Sequence, residues 1–302
     1  MELSAIIAAR QALTKPLGWY LRLTRFTRGR TWLMGLGARI LGEGPHNVTC
    51  RDGRRFQLRF PRDHGWEQLY FLKTFETGTT DTLRAILRAD DITFDIGANI
   101  GWFTTLFAQT CSQGHCYSFE PLPSVFDELA VNCHLNLAET KVTLNNLGVG
   151  DQAGEATIYF PSELSHGYSS VSPKVVSGGT PIRCTMTTVD QYVREQNVVR
   201  LDLIKVDVEG AELSVLNGAD ALIRRPNAPI WLLEVNSRTS AAFGYRPPDL
   251  LAFLNERQRH QFFRIAEGWG QLMPMRNLED CAHADNVLCV PYSRLDRLKP
   301  LK

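Results

Sequence analysis

The feature that most constrains the fold of this sequence is an alternation of short β-rich runs with helical stretches, which begins near residue 90. This is the pattern of a parallel sheet whose strands are joined by crossover helices. Seven runs have the length and composition of strands: 92–96, 116–119, 142–147, 201–208, 229–235, 262–266 and 286–290. Helical patterns over 100–110 and 124–137 separate the first three. Residues 89–302 are therefore expected to form a doubly wound α/β domain with helices on both faces of the sheet.

Two regions depart from this alternation. Upstream, Asp52-Gly53 lies between two β-rich runs and predicts a hairpin, and a helical pattern follows over 66–87, so 46–88 form a lead-in to the domain. Between 155 and 188 the helical pattern is missing, and β-like pieces at 156–160 and 182–187 flank a Ser/Gly-rich loop. Loops this long in compact domains are often lids or binding loops.

The first 45 residues form a basic arm. Residues 1–42 carry seven Lys or Arg and one acid, Glu2, although the whole chain has a net charge of only +1. Apolar residues recur at helical spacing, but no apolar run reaches the ~18–20 residues that span a bilayer. We favour an amphipathic helical arm packed on the domain with its arginines in water. Peripheral contact of residues 1–42 with an anionic membrane surface is the alternative.

The composition and net charge of the chain limit its expected cellular location and binding partners. The near-zero net charge offers no electrostatic case for nucleic acid as a partner. The seven cysteines form no CxxC pair, and no secretory signal is recognisable at the start of the sequence. We therefore expect reduced thiols, a cytoplasmic location and, if the arm touches lipid, a membrane-peripheral one. The oligomeric state is left open.

The most informative motif is TFDIGANIGWF, residues 93–103. A buried strand ends at Asp95, glycines follow at Gly97 and Gly101, and a helix opens at once. A backbone without Cβ atoms next to a helix N-terminus can approach a ligand closely. A dinucleotide fingerprint would need glycines at Asn99 and Trp102, which disfavours a nicotinamide-dependent dehydrogenase.

An acid at the end of the second predicted strand strengthens this interpretation. Glu120, in YSFEP, lies where a carboxylate can accept both hydroxyls of a ribose. The spacing from Gly101 to Glu120 fits one helix and one strand. Together, the two motifs predict a cofactor that contains a nucleoside. Asp95-x-Gly97-x-Asn99-x-Gly101 is similar to the glycine motif of methyltransferases, whose leading acid can engage the ammonium of the methionine moiety.

The motifs FDIGANIGWF, YSFEPLPSVFDELAVNCHLN, TTVDQY and LIKVDVEGAELSVLNGA, in this order, resemble the FkbM family of methyltransferases. The resemblance runs from about residue 66 to 291. It implies a class I methyltransferase fold: a Rossmann-like, seven-stranded, mostly parallel sheet whose last strand is antiparallel, preceded here by a helical and hairpin extension. It also implies S-adenosylmethionine as methyl donor. The cofactor contacts are assigned to Asp95, Gly97, Ala98, Asn99, Gly101, Glu120 and Pro121, and on the resemblance alone to Glu76 and Asn146.

The charges of the fourth predicted strand are candidates for catalysis. In LIKVDVEGAEL, alternation places Lys205, Asp207 and Glu209 on one side of the strand. Asp207 is the first candidate for a general base, Glu209 the second, and Lys205 would hold one of them ionised or orient an acceptor oxygen. The competing interpretation is an ion network of Lys205, Asp207 and Glu234 that only braces the strands.

Other candidates are weaker. The oxygen atoms of Asp207, Glu234 and Asn236 could bind Mg²⁺, but we expect a site without metal. His166, in the long loop, could reach the pocket as a base, and an acceptor groove could be lined by aromatic residues: Trp66, Tyr70, Phe71, Tyr168 and Trp269.

The reaction predicted on these grounds is methylation of a hydroxyl on a saccharide, glycolipid or similar small metabolite. Methylation of nitrogen, and a module that binds the nucleoside without turnover, are the alternatives.

Overall fold

The computed structural model describes residues 2–23, 29–42, 44–60, 65–160, 180–266, 271–281 and 285–301. The chain divides into two compact units, with the boundary between Phe75 and Glu76. None of the helices in the described ranges combines the length and the apolar character that spanning a bilayer requires.

The described residues of the first unit form three helices and a hairpin. Its elements are α1 (Glu2–Leu23), α2 (Arg30–Leu41), β1 (His46–Thr49), β2 (Arg55–Leu58) and α3 (Glu67–Leu72). The predicted hairpin is confirmed: β1 and β2 pair antiparallel, and Gly53 at the turn has φ 84°. Helices α1 and α2 pack on each other and both contact α3.

The second unit contains two sheets and the remaining helices. Its strands are β3 (Ile92–Ile96), β4 (His115–Phe119), β5 (Val142–Asn145), β6 (Gly148–Val149), β7 (Gly154–Phe160), β8 (Thr180–Thr187), β9 (Leu203–Val206), β10 (Ile230–Val235), β11 (His260–Ala266), β12 (Gln271–Pro274) and β13 (Asp285–Pro291). Its α-helices are α4 (Thr77–Ile86), α5 (Trp102–Thr110), α6 (Pro123–Leu135), α7 (Val189–Glu195), α8 (Glu212–Asn217), α9 (Asp220–Ile223), α10 (Ser237–Ala242) and α11 (Pro247–Arg257). Short 3₁₀ helices cover Leu278–Asp280 and Tyr292–Leu301.

The main sheet confirms the predicted fold class. Its order is β12-β11-β13-β10-β9-β3-β4-β5, with β10, β9, β3, β4 and β5 parallel and β13 antiparallel to both neighbours. All seven predicted strands are present. The eighth, β12, pairs antiparallel with β11 at the edge and was not predicted.

Helices cover both faces of this sheet. Phe94, Ile204 and Trp231 point to one face, where they share a buried cluster with residues of α7, α8, α9 and α11. Asp95 alternates with Phe94 and so points to the other face, where it meets Thr104 of α5. The β-like pieces after residue 155 form a separate three-stranded sheet, β6-β8-β7.

One predicted helix is wrong. The pattern over 66–87 predicts a single helix. Instead, α3 ends at Leu72 and is followed by Lys73, which has φ 63°. Helix α4 begins at Thr77, after Glu76 with φ 39°. Both residues adopt the left-handed backbone region that interrupts an α-helix. The break separates the two units at this point.

Candidate active site

The candidate site lies at the carboxyl ends of β3, β9 and β10. The strand order reverses between β3 and β9, because the chain continues from β3 to β4 on one side and from β9 to β10 on the other. Such a reversal opens a crevice beyond the strand ends, where open α/β sheets bind ligands. Gly97 follows β3 with φ 78°, and a Cβ there would lie 1.8 Å from the Asp207 carbonyl oxygen. The glycine is required because the two strand ends approach so closely.

The turn after β3 is fixed to the end of β4. The backbone N–H groups of Gly97 and Ala98 both donate to the Phe119 carbonyl at 3.0 Å. Asn99 has φ 50°, and its N–H donates to Glu120 Oε2 at 3.0 Å. Gly101, with φ 92°, precedes the first residue of α5. The sequence-predicted turn residues and Glu120 therefore form one continuous structure.

Glu120 is buried but keeps capacity to accept hydrogen bonds. Its Oε1 accepts the Leu122 N–H at 3.0 Å, so each carboxylate oxygen holds one backbone donor and retains a lone pair. Burial raises the pKa of Glu120 to about 7, against the opposing effect of the Leu122 and Asn99 N–H groups. Asn146 donates through Nδ2 to the carbonyls of Glu120 at 2.8 Å and Pro121 at 3.1 Å.

Lys205 is the centre of the charged network. Its Nζ lies 3.1 Å from Asp207 Oδ2 and 3.6 Å from Asp95 Oδ1, and donates to the Gly97 carbonyl at 3.1 Å. Its side chain is 6% exposed. Burial acts to lower the pKa of Lys205, but the carboxylates of Asp207 and Asp95 outweigh it and raise that pKa. Lys205 thus pairs with two carboxylates and a backbone carbonyl, and the interpretation that the network only braces the strands stays a prediction.

Asp95 is fully buried beneath the glycine turn. Its Oδ2 accepts a hydrogen bond from Thr104 Oγ1 at 2.6 Å, and the same hydroxyl lies 2.9 Å from Ser118 Oγ. Burial raises the pKa of Asp95, and Lys205 and Thr104 oppose the rise. Sequence reasoning missed Thr104. The sequence feature that could have indicated Thr104 is its position in the first turn of the helix that follows Gly101.

Three carboxylates gather where β9 and β10 end. Oxygen atoms of Asp207, Glu209 and Glu234 all lie within 4.8 Å of one another. Burial, followed by the charge of Asp207, raises the pKa of Glu209 to about 9. The charge of Asp207, followed by burial, raises the pKa of Glu234 well above its ordinary value. At neutral pH this group therefore retains protons that isolated carboxylates would lose.

The backbone around this group differs from the predicted strand. Strand β9 ends at Val206, so Asp207 and Glu209 lie in the loop that follows, and Glu209 has φ 51°. Asn236, considered as a metal ligand with Asp207 and Glu234, is not directed to them. Its Oδ1 accepts the Arg238 N–H at 3.0 Å and caps α10.

Glu76 belongs to the same region. Its Oε2 accepts a hydrogen bond from Asn286 Nδ2 at 2.9 Å, and its charge acts on Lys205. Asn286 lies opposite Glu234 in the register of β10 and β13. Sequence reasoning placed Glu76 near the cofactor but missed Asn286, whose signal was its position at the start of the last predicted strand.

The remaining candidates from the sequence are a histidine and five aromatic residues. His166, Tyr168 and Trp269 lie outside the described residues. The aromatic residues of α3 and its N-terminal end belong to the first unit, where Trp66 packs against Phe75 with ring centroids 4.4 Å apart. Phe71 is also buried. These aromatic residues pack within the first unit, and an acceptor groove lined by them stays a prediction.

Two observations fit S-adenosylmethionine as the ligand of this crevice. The free lone pairs of Glu120 lie beside the glycine turn, where they can accept ribose hydroxyls. Five acidic side chains meet in this region. Asp95, Asp207 and Glu76 act on Lys205. Asp207 also lies close to Glu209 and Glu234. The oxygen atoms of these side chains, including those of the acids that retain a proton at neutral pH, can accept hydrogen bonds from the ammonium group of the donor and lie favourably beside its sulfonium.

Comparisons with known proteins agree with this geometry. The family model described as the methyltransferase FkbM domain matches residues 95–263, more than half of the chain. A methyltransferase, sdnD, from Sordaria araneosa is 30% identical and the alignment covers 49% of this chain and 69% of that protein. The hexuronic acid methyltransferase AglP from Haloferax volcanii is 29% identical, with 59% and 69% covered. The 31-O-demethyl-FK506 methyltransferase FkbM from Streptomyces tacrolimicus is 28% identical, with 44% and 61% covered.

The matched residues begin at Asp95 and contain the glycine turn, Glu120 and the whole loop after β9. The fold, the crevice and the family match therefore lead to one conclusion: the chain belongs to the FkbM family of S-adenosylmethionine-dependent methyltransferases.

Proposed function

We propose that the protein is an O-methyltransferase that acts on a hydroxyl of a saccharide, glycolipid or related metabolite. The observation that carries the proposal is the group of Asp207, Glu209 and Glu234 beside Lys205. An alcohol is a poor nucleophile, and a carboxylate placed beside it can accept its proton as the new bond forms. The names of two relatives, a hexuronic acid methyltransferase and a 31-O-demethyl-FK506 methyltransferase, support a sugar or hydroxyl acceptor.

The proposed roles follow from the contacts. Bound S-adenosylmethionine supplies a methyl group already activated for displacement. Asp207, whose Oδ2 lies 3.1 Å from Lys205 Nζ and whose side chain is 33% exposed, accepts the proton of the acceptor hydroxyl. Glu209, which carries a proton at neutral pH, donates a hydrogen bond to the acceptor oxygen. Lys205 is a positioning residue, because its Nζ donates to the Gly97 carbonyl and pairs with Asp207 and Asp95.

The donor is assigned to the remaining residues of the crevice. Glu120 would accept the ribose hydroxyls, and the backbone of Gly97, Ala98, Asn99 and Gly101 would face the donor. Pro121 and Asn146 would border its adenine. Asp95 and Glu76 would supply negative charge on the side of the sulfonium and ammonium, Asp95 from beneath the turn because it is fully buried.

The same acidic side chains support a second candidate acceptor, an amine that would bind as its ammonium ion, lose a proton to Asp207 and then be methylated on nitrogen. The two candidates differ in the linkage of the product. Analysis of the methylated product by mass spectrometry and NMR distinguishes an ether from a methylamine.

The test is a screen of sugars, uronic acids, glycolipids and amines with isotopically labelled S-adenosylmethionine. With an acceptor in hand, we expect Asp207→Asn to lower kcat by roughly 10²–10⁴-fold, because the base is lost. Binding of S-adenosylhomocysteine should change little. Glu209→Gln should retain most activity at neutral pH, since the amide resembles the protonated acid.

Asp127→Asn, on the exposed surface of α6, is the matched control. Full activity of Asp207→Asn would contradict the assignment of the base. Tight binding of S-adenosylhomocysteine with no transfer to any acceptor would favour a binding module without turnover.

A further inference from the structure

The two N-terminal helices, α1 and α2, each expose large apolar side chains. In α1, large apolar side chains are exposed at Ile6, Leu13, Trp19, Tyr20 and Leu23. Leu13 is 72% exposed and Trp19 64%, values that are unusual for side chains of this size.

These residues share one side of α1. At 3.6 residues per turn, Ile6, Leu13 and Tyr20 recur every seven residues, and Trp19 and Leu23 lie next to that stripe. The buried residues of the helix, Thr14 and Leu21 among them, fall on the opposite side. Helix α1 is therefore apolar on its outer face as well as on its packed face.

Helix α2 repeats this arrangement. Trp32, Leu36 and Ile40 are spaced by four residues and exposed, with Trp32 at 69%. Met34, Ala38 and Leu41 are buried on the other side of the helix. We call the exposed apolar residues of both helices the apolar face: Ile6, Leu13, Trp19, Tyr20, Leu23, Trp32, Leu36 and Ile40.

The charges beside the apolar face have one sign. Arg10, Lys15 and Arg39 are exposed on the same two helices. In residues 1–42 the only acid is Glu2, against seven Lys and Arg. Single exposed hydrophobic residues are common on protein surfaces, but eight large ones on two helices that pack on each other, bordered by cations, indicate an interaction site.

We propose that the apolar face binds the surface of an anionic lipid bilayer, with α1 and α2 lying in the interface. Tryptophan and tyrosine side chains suit the boundary between headgroups and acyl chains. The cations beside them attract anionic lipid. A second copy of this chain is a poorer occupant, because it would bring the same cations of two molecules together.

The test measures binding of the full chain to vesicles rich in phosphatidylglycerol, by flotation and by tryptophan fluorescence. We expect binding with a blue shift, weaker binding at high salt, and little binding to phosphatidylcholine vesicles. Trp19→Ser with Trp32→Ser should weaken binding at least about tenfold, since two large apolar side chains leave the interface. Lys15→Glu with Arg39→Glu should weaken it as well.

Val199→Ser with Tyr292→Ser, which removes two exposed apolar side chains of the second unit, is the matched control and should bind like the parent. Unchanged binding of S-adenosylhomocysteine shows that the second unit of each variant is folded, whatever the acceptor is, and an unchanged helical signal in circular dichroism shows the same for α1 and α2. Failure of the parent to float, or equal binding of the tryptophan variant, overturns the proposal. So does a dimer in light scattering that dissociates in that variant without any binding to vesicles.

Discussion

Glu120 shows how a single residue combines a motif with its surroundings. The sequence places an acid at the end of a strand, which suggests contact with a ribose. The structure adds two backbone donors, Asn99 and Leu122, that hold both oxygens in place. Burial also raises the pKa of this carboxyl to about 7, so the protonation of Glu120 changes near neutral pH.

Binding of the cofactor should therefore depend on pH through Glu120. Only the ionised carboxylate can accept two hydroxyls, so affinity should rise as the pH increases through 7. We expect S-adenosylhomocysteine to bind about tenfold more tightly at pH 8 than at pH 6, measured by calorimetry. The Glu120→Gln variant should bind weakly with a much flatter profile, and its residual slope corrects for titration of the ligand. Equal slopes in both proteins would show that Glu120 does not control the affinity.

Other residues of the site could not be identified from the sequence. Thr104 and Asn286 are uncharged, and their positions, in the first turn of a helix and at the start of a strand, are weak signals because many residues share them. Their importance arises because α5 and β13 bring them to Asp95 and Glu76. Asp207, Glu209 and Lys205 could be identified because four charges close to a buried strand are unusual.

At the scale of elements, the loop after β9 depends on Glu212. Its Oε1 accepts the N–H groups of Val208 at 3.2 Å and Gly210 at 3.1 Å, and its Oε2 accepts the Tyr245 hydroxyl at 2.8 Å. Glu212 is 1% exposed. This carboxylate fixes the conformation in which Glu209 adopts a positive φ.

Replacing Glu212 should destabilise the protein and distort this loop. In Glu212→Ala, buried donors lose their acceptor, and the free energy of unfolding should fall by roughly 2–5 kcal/mol. Urea denaturation followed by circular dichroism measures the change. Glu256→Ala, at a 75% exposed position of α11, is the control and should stay within about 0.5 kcal/mol of the parent. A similar small effect of Glu212→Ala would mean that other contacts hold the loop.

The break between α3 and α4 could not be predicted from the hydrophobic pattern of the sequence. Apolar residues continue at helical spacing across Lys73 to Glu76, and neither glycine nor proline marks the interruption. Glu76 takes a positive φ where its side chain meets Asn286, which is 210 positions away in the sequence. A contact so distant in the chain leaves no local signal.

For the whole molecule, an ion network joins the C-terminal segment to the amino ends of the central strands. Arg297 forms two hydrogen bonds of 2.7 Å with Asp91, and the side chains are 8% and 1% exposed. Arg294 bonds Asp202 at 3.0 Å, and Asp202 in turn accepts the Ile92 N–H. Arg294 and Arg297 thus form ion pairs with Asp202 and Asp91, which is consistent with a structural role.

Loss of the Arg297–Asp91 pair should lower the stability of the protein substantially. Arg297→Ala leaves the Asp91 carboxylate buried without its partner, and we expect a loss of about 3–5 kcal/mol in the free energy of unfolding. Arg88→Ala removes an exposed pair with Asp296, whose side chains are 55% and 50% exposed, and should cost less than about 1 kcal/mol. Thermal and urea denaturation of both variants gives the comparison. Equal effects would show that the buried pair contributes no more than the surface pair.

The sequence alone determined the order of the strands along the chain, the glycine turn, the acid at the end of the second strand and hence the family. These features are local: periodicity, glycine and a few charges at fixed spacing reflect the backbone conformation of the segment that contains them. Tertiary structure decided which side chains meet. Lys205 contacts Asp95 and Gly97 because β3 and β9 are neighbours in the sheet, although more than 100 residues separate them in the chain. The outward direction of Trp19 and Trp32 was decided in the same way, because only the packing of α1 and α2 determines which side of each helix is buried.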